Sequence, residues 1–321
     1  MPFPCGRSGA RALCCGLLLA ALAAGLAPPR AHGDAPRVAV LYPAVGEPYR
    51  RVFEQIVDGI DHGLDAAAAT RAVQETATAE SVSAWIDSTG ADLVIALGQG
   101  ALRLARRSAG ARPIVAGAAA FAPDDVDGVD ALSLTPAPRL VFDRLREIAP
   151  RVDSVYVLYQ PGKDDWIIER ARAAAAATGI KLDTRAAQGL QAAARAYRDI
   201  LDAHGATDRA LWLLRNDALV DDQTLLPLIL EQSWNRDRVV ISNNPSHVKR
   251  GVLFALYPDH GAMGTHLARM AENRLAHPDR PHRLLPLESV RIAVNVRTAA
   301  HLGLPIDGPT RRNFDVVFPS P

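Results

Sequence analysis

The chain has 321 residues, a formal net charge of +1, 49% apolar residues and a mean hydropathy of +0.01. This apolar content excludes a disordered chain, and the balanced charge excludes the basic face that nucleic-acid binding requires. Aromatic residues at 5% are too few for a base-stacking surface, and only one apolar run is long enough to raise the question of a membrane span.

That run opens the chain. Arg7 and Arg11 form a basic segment, Ala12–Ala27 is uninterrupted and apolar, and Pro28-Pro29 precede the small-residue stretch Ala31-His32-Gly33. This three-part plan predicts a Sec signal peptide over residues 1–33, cleaved after Gly33, and hence export to the periplasm. The run falls short of the roughly 20 residues of a transmembrane helix. Removing residues 1–33 takes away three arginines and no acid, turning a net charge of +1 into −2. Cys5, Cys14 and Cys15, the only cysteines, leave with it. The exported chain is therefore expected to hold together without disulfides.

Past residue 34, short β-branched runs alternate with Ala-rich amphipathic stretches. Strands are predicted at 38–42, 93–97 and 113–116, with helices at 49–59, 80–88 and 101–108, and an irregular Asp- and Pro-rich segment at 121–129. After a break near 134–138 the pattern restarts. Helices are predicted at 138–148, 164–178, 192–204 and 219–234 (kinked at Pro227), and strands at 154–158, 180–184, 210–214, 239–242 and 252–256. A helix at 259–275, a strand at 291–295 and a short helix at 298–302 follow. The tail from 305 is expected to pack loosely. Such alternation predicts an α/β fold of two doubly wound parallel-sheet lobes.

Enzyme signatures are sparse. Gly98-Gln99-Gly100 follows a strand and opens a helix, but the third glycine of a dinucleotide fingerprint is Arg103. His260 and His266 stand six apart and fall on different helix faces. The acid pairs Asp124-Asp125, Asp164-Asp165 and Asp221-Asp222 sit largely where helix caps are expected. No catalytic set, metal site or cofactor is expected. Ligands of open parallel sheets lie beyond the carboxyl ends of the strands, where helix N-termini face them, so the simplest expectation is reversible capture of a small molecule between the lobes.

The C-terminal segments sharpen this. Ser242–Gly251 (SNNPSHVKRG), Leu256–Met270 (LYPDHGAMGTHLARM) and Val290–Ile306 (VRIAVNVRTAAHLGLPI) resemble the corresponding loop, helix entry and closing strand–helix of the ABC-transporter substrate-binding family that includes the tryptophan-binding lipoproteins. That family belongs to the type I periplasmic-binding fold. The resemblance implies three crossings between lobes, near 134–136, 256–258 and 285–287. Lobe 1 would be 34–135 plus 259–285, lobe 2 would be 138–256 plus 289–304, and 305–321 a tail. It implies a pocket lined by Tyr42, Glu47, Gly98, Gln99, Gly117 and Phe121 from lobe 1. Lobe 2 would add Tyr159, Asp165, Trp166, Arg215, Asn216, Asp217, Asn243 and Asn244, with Asp259 at a crossing. N–H groups after Gly98 and around Asp165 would hold a carboxylate, Asp217 or Asp259 an ammonium group, and Tyr42, Phe121 or Trp166 apolar or ring surface. Two departures leave the ligand class open: Asn243 stands where the family has an acid, and Ala120-Phe121-Ala122-Pro123 replaces a more polar turn. The implied partner is an ABC permease, with a monomeric binding protein delivering the solute. The alternatives are a ligand-sensing subunit docking on a membrane histidine kinase or cyclase, and a two-domain glycosyltransferase-like enzyme.

Overall fold

The computed structural model describes residues 36–202 and 208–319; the expected leader lies outside the described residues. Residues 35–321 form one compact unit built on two sheets. The first half of the chain runs β1 (Val38–Pro43), α1 (Tyr49–Leu64), β2 (Ala69–Val73), α2 (Ala79–Thr89), β3 (Leu93–Leu97), α3 (Gln99–Ser108), β4 (Ile114–Ala119) and β5 (Asp130–Pro136). It continues through α4 (Pro138–Ile148), β6 (Ser154–Tyr159), α5 (Asp165–Thr178), β7 (Lys181–Ala186), α6 (Gly189–Asp202) and β8 (Arg209–Leu213). Then come α7 (Leu225–Trp234), β9 (Val239–Ser242), α8 (Pro245–Arg250), β10 (Phe254–Pro258) and α9 (His260–Ala276). The chain ends with β11 (Leu284–Leu287), β12 (Val290–Asn295), α10 (Val296–His301), α11 (Gly308–Arg311) and β13 (Val316–Phe318).

The first sheet has the order β11-β5-β4-β3-β1-β2 and is parallel throughout. The second has the order β13-β12-β10-β9-β8-β6-β7 and is parallel except for the β10–β12 pair. In both, the order reverses next to the opening strand, between β1 and β3 and between β6 and β8. That is the switch point where a ligand crevice opens in a doubly wound sheet. Each sheet with its helices is called a lobe below.

Both faces of both sheets are covered, which is why the strands read as continuous apolar runs. Along β1, Val38 and Val40 point to one face with Ile56 and Ile60 of α1 and Leu267 of α9, while Ala39 and Leu41 point to the other with α2 and α3. In the second lobe, Val155, Trp212 and Phe254 pack with α4 and α5, and Leu211, Val240 and Ala255 with α6, α7 and α8. Four strands escape the sequence reading. β11 is a four-residue edge strand containing Pro286 and pairs with β5. β2 is an edge strand whose exposed Thr70 and half-buried Arg71 break the apolar pattern. β5 opens on Asp130, which is buried and ion-paired with Arg274. β13 corrects the expectation of a loose tail, since Val316–Phe318 pair with Ala293–Asn295 of β12. Pro227 lies in the first turn of α7, where its missing N–H costs nothing, so the helix starts there and is not kinked.

The chain passes between the sheets three times, from β5 into α4, from β10 into α9, and from β11 into β12. The second passage returns α9 to the first lobe, where it packs on α1. A Cβ on Gly59 would lie 2.0 Å from the Gly261 carbonyl oxygen, and one on Gly264 would lie 2.1 Å from that of Ile56. The helices therefore touch backbone to backbone, an approach only glycine allows. Gly264→Ala should destabilise the protein by about 2 kcal/mol or more in urea unfolding. Gly46→Ala, with open space around it, should leave the midpoint unchanged.

Candidate functional site

The carboxyl ends of β1, β3 and β4 bring Tyr42, Gly98 and Gly117 together through the registers Leu41↔Ala96 and Leu97↔Gly117. Tyr42 is half-buried and stacks on Phe53 with centroids 6.0 Å apart. Gly98 takes φ +90°, donates its N–H to the Gly117 carbonyl at 2.7 Å, and opens α3. That helix has no side-chain cap and no acid in its first turn, so its first N–H groups face the crevice without a partner from the helix. Gln99 is exposed beside them, and Glu47 pairs with Arg50 at 2.9 Å.

Two first-lobe expectations are corrected. Gly117 is buried under α9, where a Cβ would meet Leu267 Cδ1 at 2.6 Å, so its role is packing. Phe121 is 2% exposed within the apolar layer beneath α2 and α3 and offers no ring to a ligand.

Across the second sheet, Tyr159, Arg215 and Asn244 follow the adjoining ends of β6, β8 and β9. Tyr159 and Trp166 are half-buried and pack on the α4–α5 core, and the Arg170 guanidinium lies 5.1 Å from the centre of the Trp166 ring. Asn216 is buried and acts as a brace between loops. Its amide donates to Asp164 Oδ2 at 2.9 Å, and its Oδ1 accepts the Ala218 N–H at 3.1 Å. Asn243 is also buried, accepting the Trp212 indole N–H at 3.0 Å, and does not reach the recess described below, whereas Asn216 forms part of its wall.

A carboxylate at the start of α5, expected from the sequence, is opposed by the structure. Asp165 accepts the Gly162 N–H at 2.6 Å and Asp164 the Gln160 N–H at 2.8 Å, so two negative charges already hold that terminus. The starts of α7 and α8 are likewise capped by Asp221 and Asn244. Asp259 caps α9 through the Ala262 N–H at 3.0 Å. It also lines a pocket of about 480 Å³ that joins Gln55, His62 and Thr265 of the first lobe to Tyr257 and Arg291 of the second.

A recess of about 330 Å³ remains beyond the ends of β8 and β9, beside the switch point of the second lobe, bounded by Arg215, Asn216, Asp217, Asp222, Asn244 and His247. Arg215 and Asp217 are exposed, and neither forms an ion pair with the described residues. Behind them lies a relay the sequence does not reveal. His247 Nε2 is 2.9 Å from Asp222 Oδ1, and Nδ1 is 2.9 Å from Ser242 Oγ. Burial pushes the His247 pKa below its ordinary value, with the Asp222 charge pulling the other way. The neutral ring donates Nε2–H to the carboxylate and accepts the Ser242 hydroxyl, which in turn accepts the Asn244 N–H at 3.1 Å. The order Ser–His–Asp is that of an acyl-transfer triad. Ser242, however, is 3% exposed and lies off the recess wall, so the relay fixes the β9–α8 turn and offers no nucleophile to a substrate. Residues 242 and 247 share one short segment, but Asp222 joins them only through sheet order, so spacing could not reveal the set. Among the described residues no group of three or more His, Cys, Asp or Glu could hold a metal ion, and no helix is long and apolar enough to cross a membrane.

No family model and no curated protein matches the sequence. Solved structures do match. The ABC domain in complex with L-Trp from Streptococcus pneumonia is 17% identical, with 89% of this chain and 100% of that chain covered and a TM-score of 0.53. A conserved domain protein from Vibrio cholerae is 17% identical over 88% and 100%, with a TM-score of 0.52. The ligand-free, open structure of a substrate binding protein with adhesive properties from Clostridium difficile is 14% identical over 89% and 100%, with a TM-score of 0.61. The chain has the type I periplasmic-binding fold. At these identities the likeness establishes the fold, and the residues on the rim are this chain's own.

The relay gives a pH signature. An unfolded histidine titrates near 6.5, whereas burial depresses His247, His260 and His266 in the folded chain. As pH falls below about 6.5, the unfolded chain takes up protons first, so stability should decline until the folded pKa values are passed. The melting temperature should be level above pH 7 and fall between 6.5 and 5. His247→Gln should make that fall shallower, and an identical slope would assign it to the other two histidines.

Proposed function

We propose that the chain is an exported solute-binding protein that captures a small molecule between its lobes and delivers it to an ABC permease. The observation that carries this reading is that each of two doubly wound lobes presents polar groups beyond its strand ends while the chain passes between the lobes three times. Lobe 1 presents the open start of α3. Lobe 2 presents Arg215 and Asp217 around a recess whose volume suits a small ligand. Among the described residues, no hydrogen bond or ion pair joins the loops at 43–49, 98–100 and 118–124 to those at 160–166, 214–222 and 243–247. Cross-lobe bonds cluster at the passages, as in Ala137 N–H to the Leu287 carbonyl at 2.8 Å and Asp259 N–H to that of Ser289 at 3.0 Å. This is the arrangement of two lobes free to close by a hinge.

In the bound state the Arg215 guanidinium receives an anionic group and Asp217 a cationic one, with Trp166 and Tyr42 supplying apolar surface. The L-Trp complex among the structural matches makes an amino acid the first solute to try. A thermal-shift screen of amino acids, purines, small carboxylates and aromatic acids should yield a ligand that raises the melting temperature. Arg215→Ala and Asp217→Ala should each weaken it at least tenfold by calorimetry, and undiminished affinity in both would displace the site from this recess. Solution scattering should show the protein contracting on binding.

Export rests on residues 1–33 alone. N-terminal sequencing of protein recovered from a periplasmic extract should read from Asp34, and an intact leader would overturn this part of the proposal.

A further inference from the structure

Away from the interlobe crevice, a groove of about 640 Å³ runs along the outer side of α9. Helix α9 contributes Arg269 and His266, the strap at 277–283 contributes Arg280 and Arg283, and Glu288 from the third passage closes one end. The strap is held rigidly from beneath. Asp130, fully buried, takes Arg274 Nε at 2.7 Å and Arg280 Nη2 at 3.5 Å on one oxygen, and the Arg283 N–H at 2.9 Å on the other. Arg274 also donates to the carbonyls of Pro278 at 2.9 Å and Arg280 at 2.8 Å. Burial pushes the Asp130 carboxyl up, but the hydrogen bonds and guanidinium charges around it outweigh burial and hold it ionised below its ordinary range.

The charge in this frame is not balanced. Arg269, Arg274, Arg280 and Arg283 face only Asp130 and Glu288, leaving two positive charges in excess. Arg269 and Arg283 are exposed and have no ion-pair partner among the described residues, whereas Arg280 Nε is buried with no hydrogen-bond partner there. His266 is half-buried, and burial lowers its pKa, so at neutral pH it adds a hydrogen-bonding edge without charge.

We propose that this groove binds a small dianionic oxyanion of the phosphate class through Arg269, Arg280 and Arg283. Planar guanidinium forks match the oxygens of such an ion, and two negative charges offset the local excess. A free phosphate and a phosphate monoester present the same chemistry to these groups.

The test uses the purified protein at constant ionic strength, titrated with inorganic phosphate in one arm and glycerol phosphate in the other, with sodium chloride as the reference. Phosphate at ten times its Kd should raise the melting temperature by about 3 °C. Response in the phosphate arm alone identifies the free ion, and response in both arms shows that esters also enter. Arg269→Ala/Arg283→Ala removes two exposed side chains outside the Asp130 frame, so its unliganded melting temperature should match the parent's while the response disappears. Arg215→Ala, in the crevice, should retain the response. A shift no greater than that from chloride, or a shift that survives the double substitution, overturns the proposal.

Discussion

Gly59 and Gly264 let α1 and α9 approach until backbone meets backbone, and the division of the molecule into lobes depends on that contact. Helix α9 is reached from β10, deep in the second sheet, yet it covers the first. With any larger side chain at these positions the helix would stand off α1, and Leu267 would no longer seal Gly117 and the face of β4. The seam thus makes the second passage compulsory, and with three passages the lobes are joined by separate strands that can flex together. A single tether would leave their orientation undefined.

The two crevice walls carry different electrostatics, and the difference lies in how helix starts are satisfied. Along the second lobe, Asp164, Asp165, Asp221 and Asn244 occupy the N–H groups of their own loops. Along the first, α3 starts at a glycine with nothing to cap it. In the reading proposed above, polar recognition on the second lobe falls to the side chains left over, Arg215 and Asp217, and on the first lobe to backbone N–H groups. The Ser242–His247–Asp222 relay belongs to this economy, because it holds the Asn244 turn through the exposed Asp222 carboxylate and leaves Arg215 and Asp217 outside its bonds.

Much of the architecture was legible because both faces of each sheet are covered, so strands such as LVIAL at 93–97 stand out as apolar runs. The strands that escaped are those whose composition answers to something else: β2 at a solvated edge, β5 with an aspartate serving a buried ion pair, β11 with a proline in four residues, and β13 with only three residues. The site was less legible. Tyr42, Gly98, Tyr159 and Arg215 follow from sheet topology and lie where the switch points place them. Phe121 and Asn243 occupy equally good positions along the chain but turn inward, the first into the core and the second onto Trp212, while Asn216 is held on Asp164 at the recess wall. Whether a loop residue faces a ligand or braces its own loop is decided by partners distant in sequence.

The late return of α9 and β11 to the first sheet also bears on biogenesis. A growing polypeptide that has emerged only as far as Pro258 carries β1–β5 but lacks the helix that covers one side of them and the strand that completes their edge. The earliest-made part thus waits on segments more than 120 positions downstream, a separation that slows collapse into native structure. Under the export proposed above, that delay keeps the chain in the extended state that passage through a translocation channel requires.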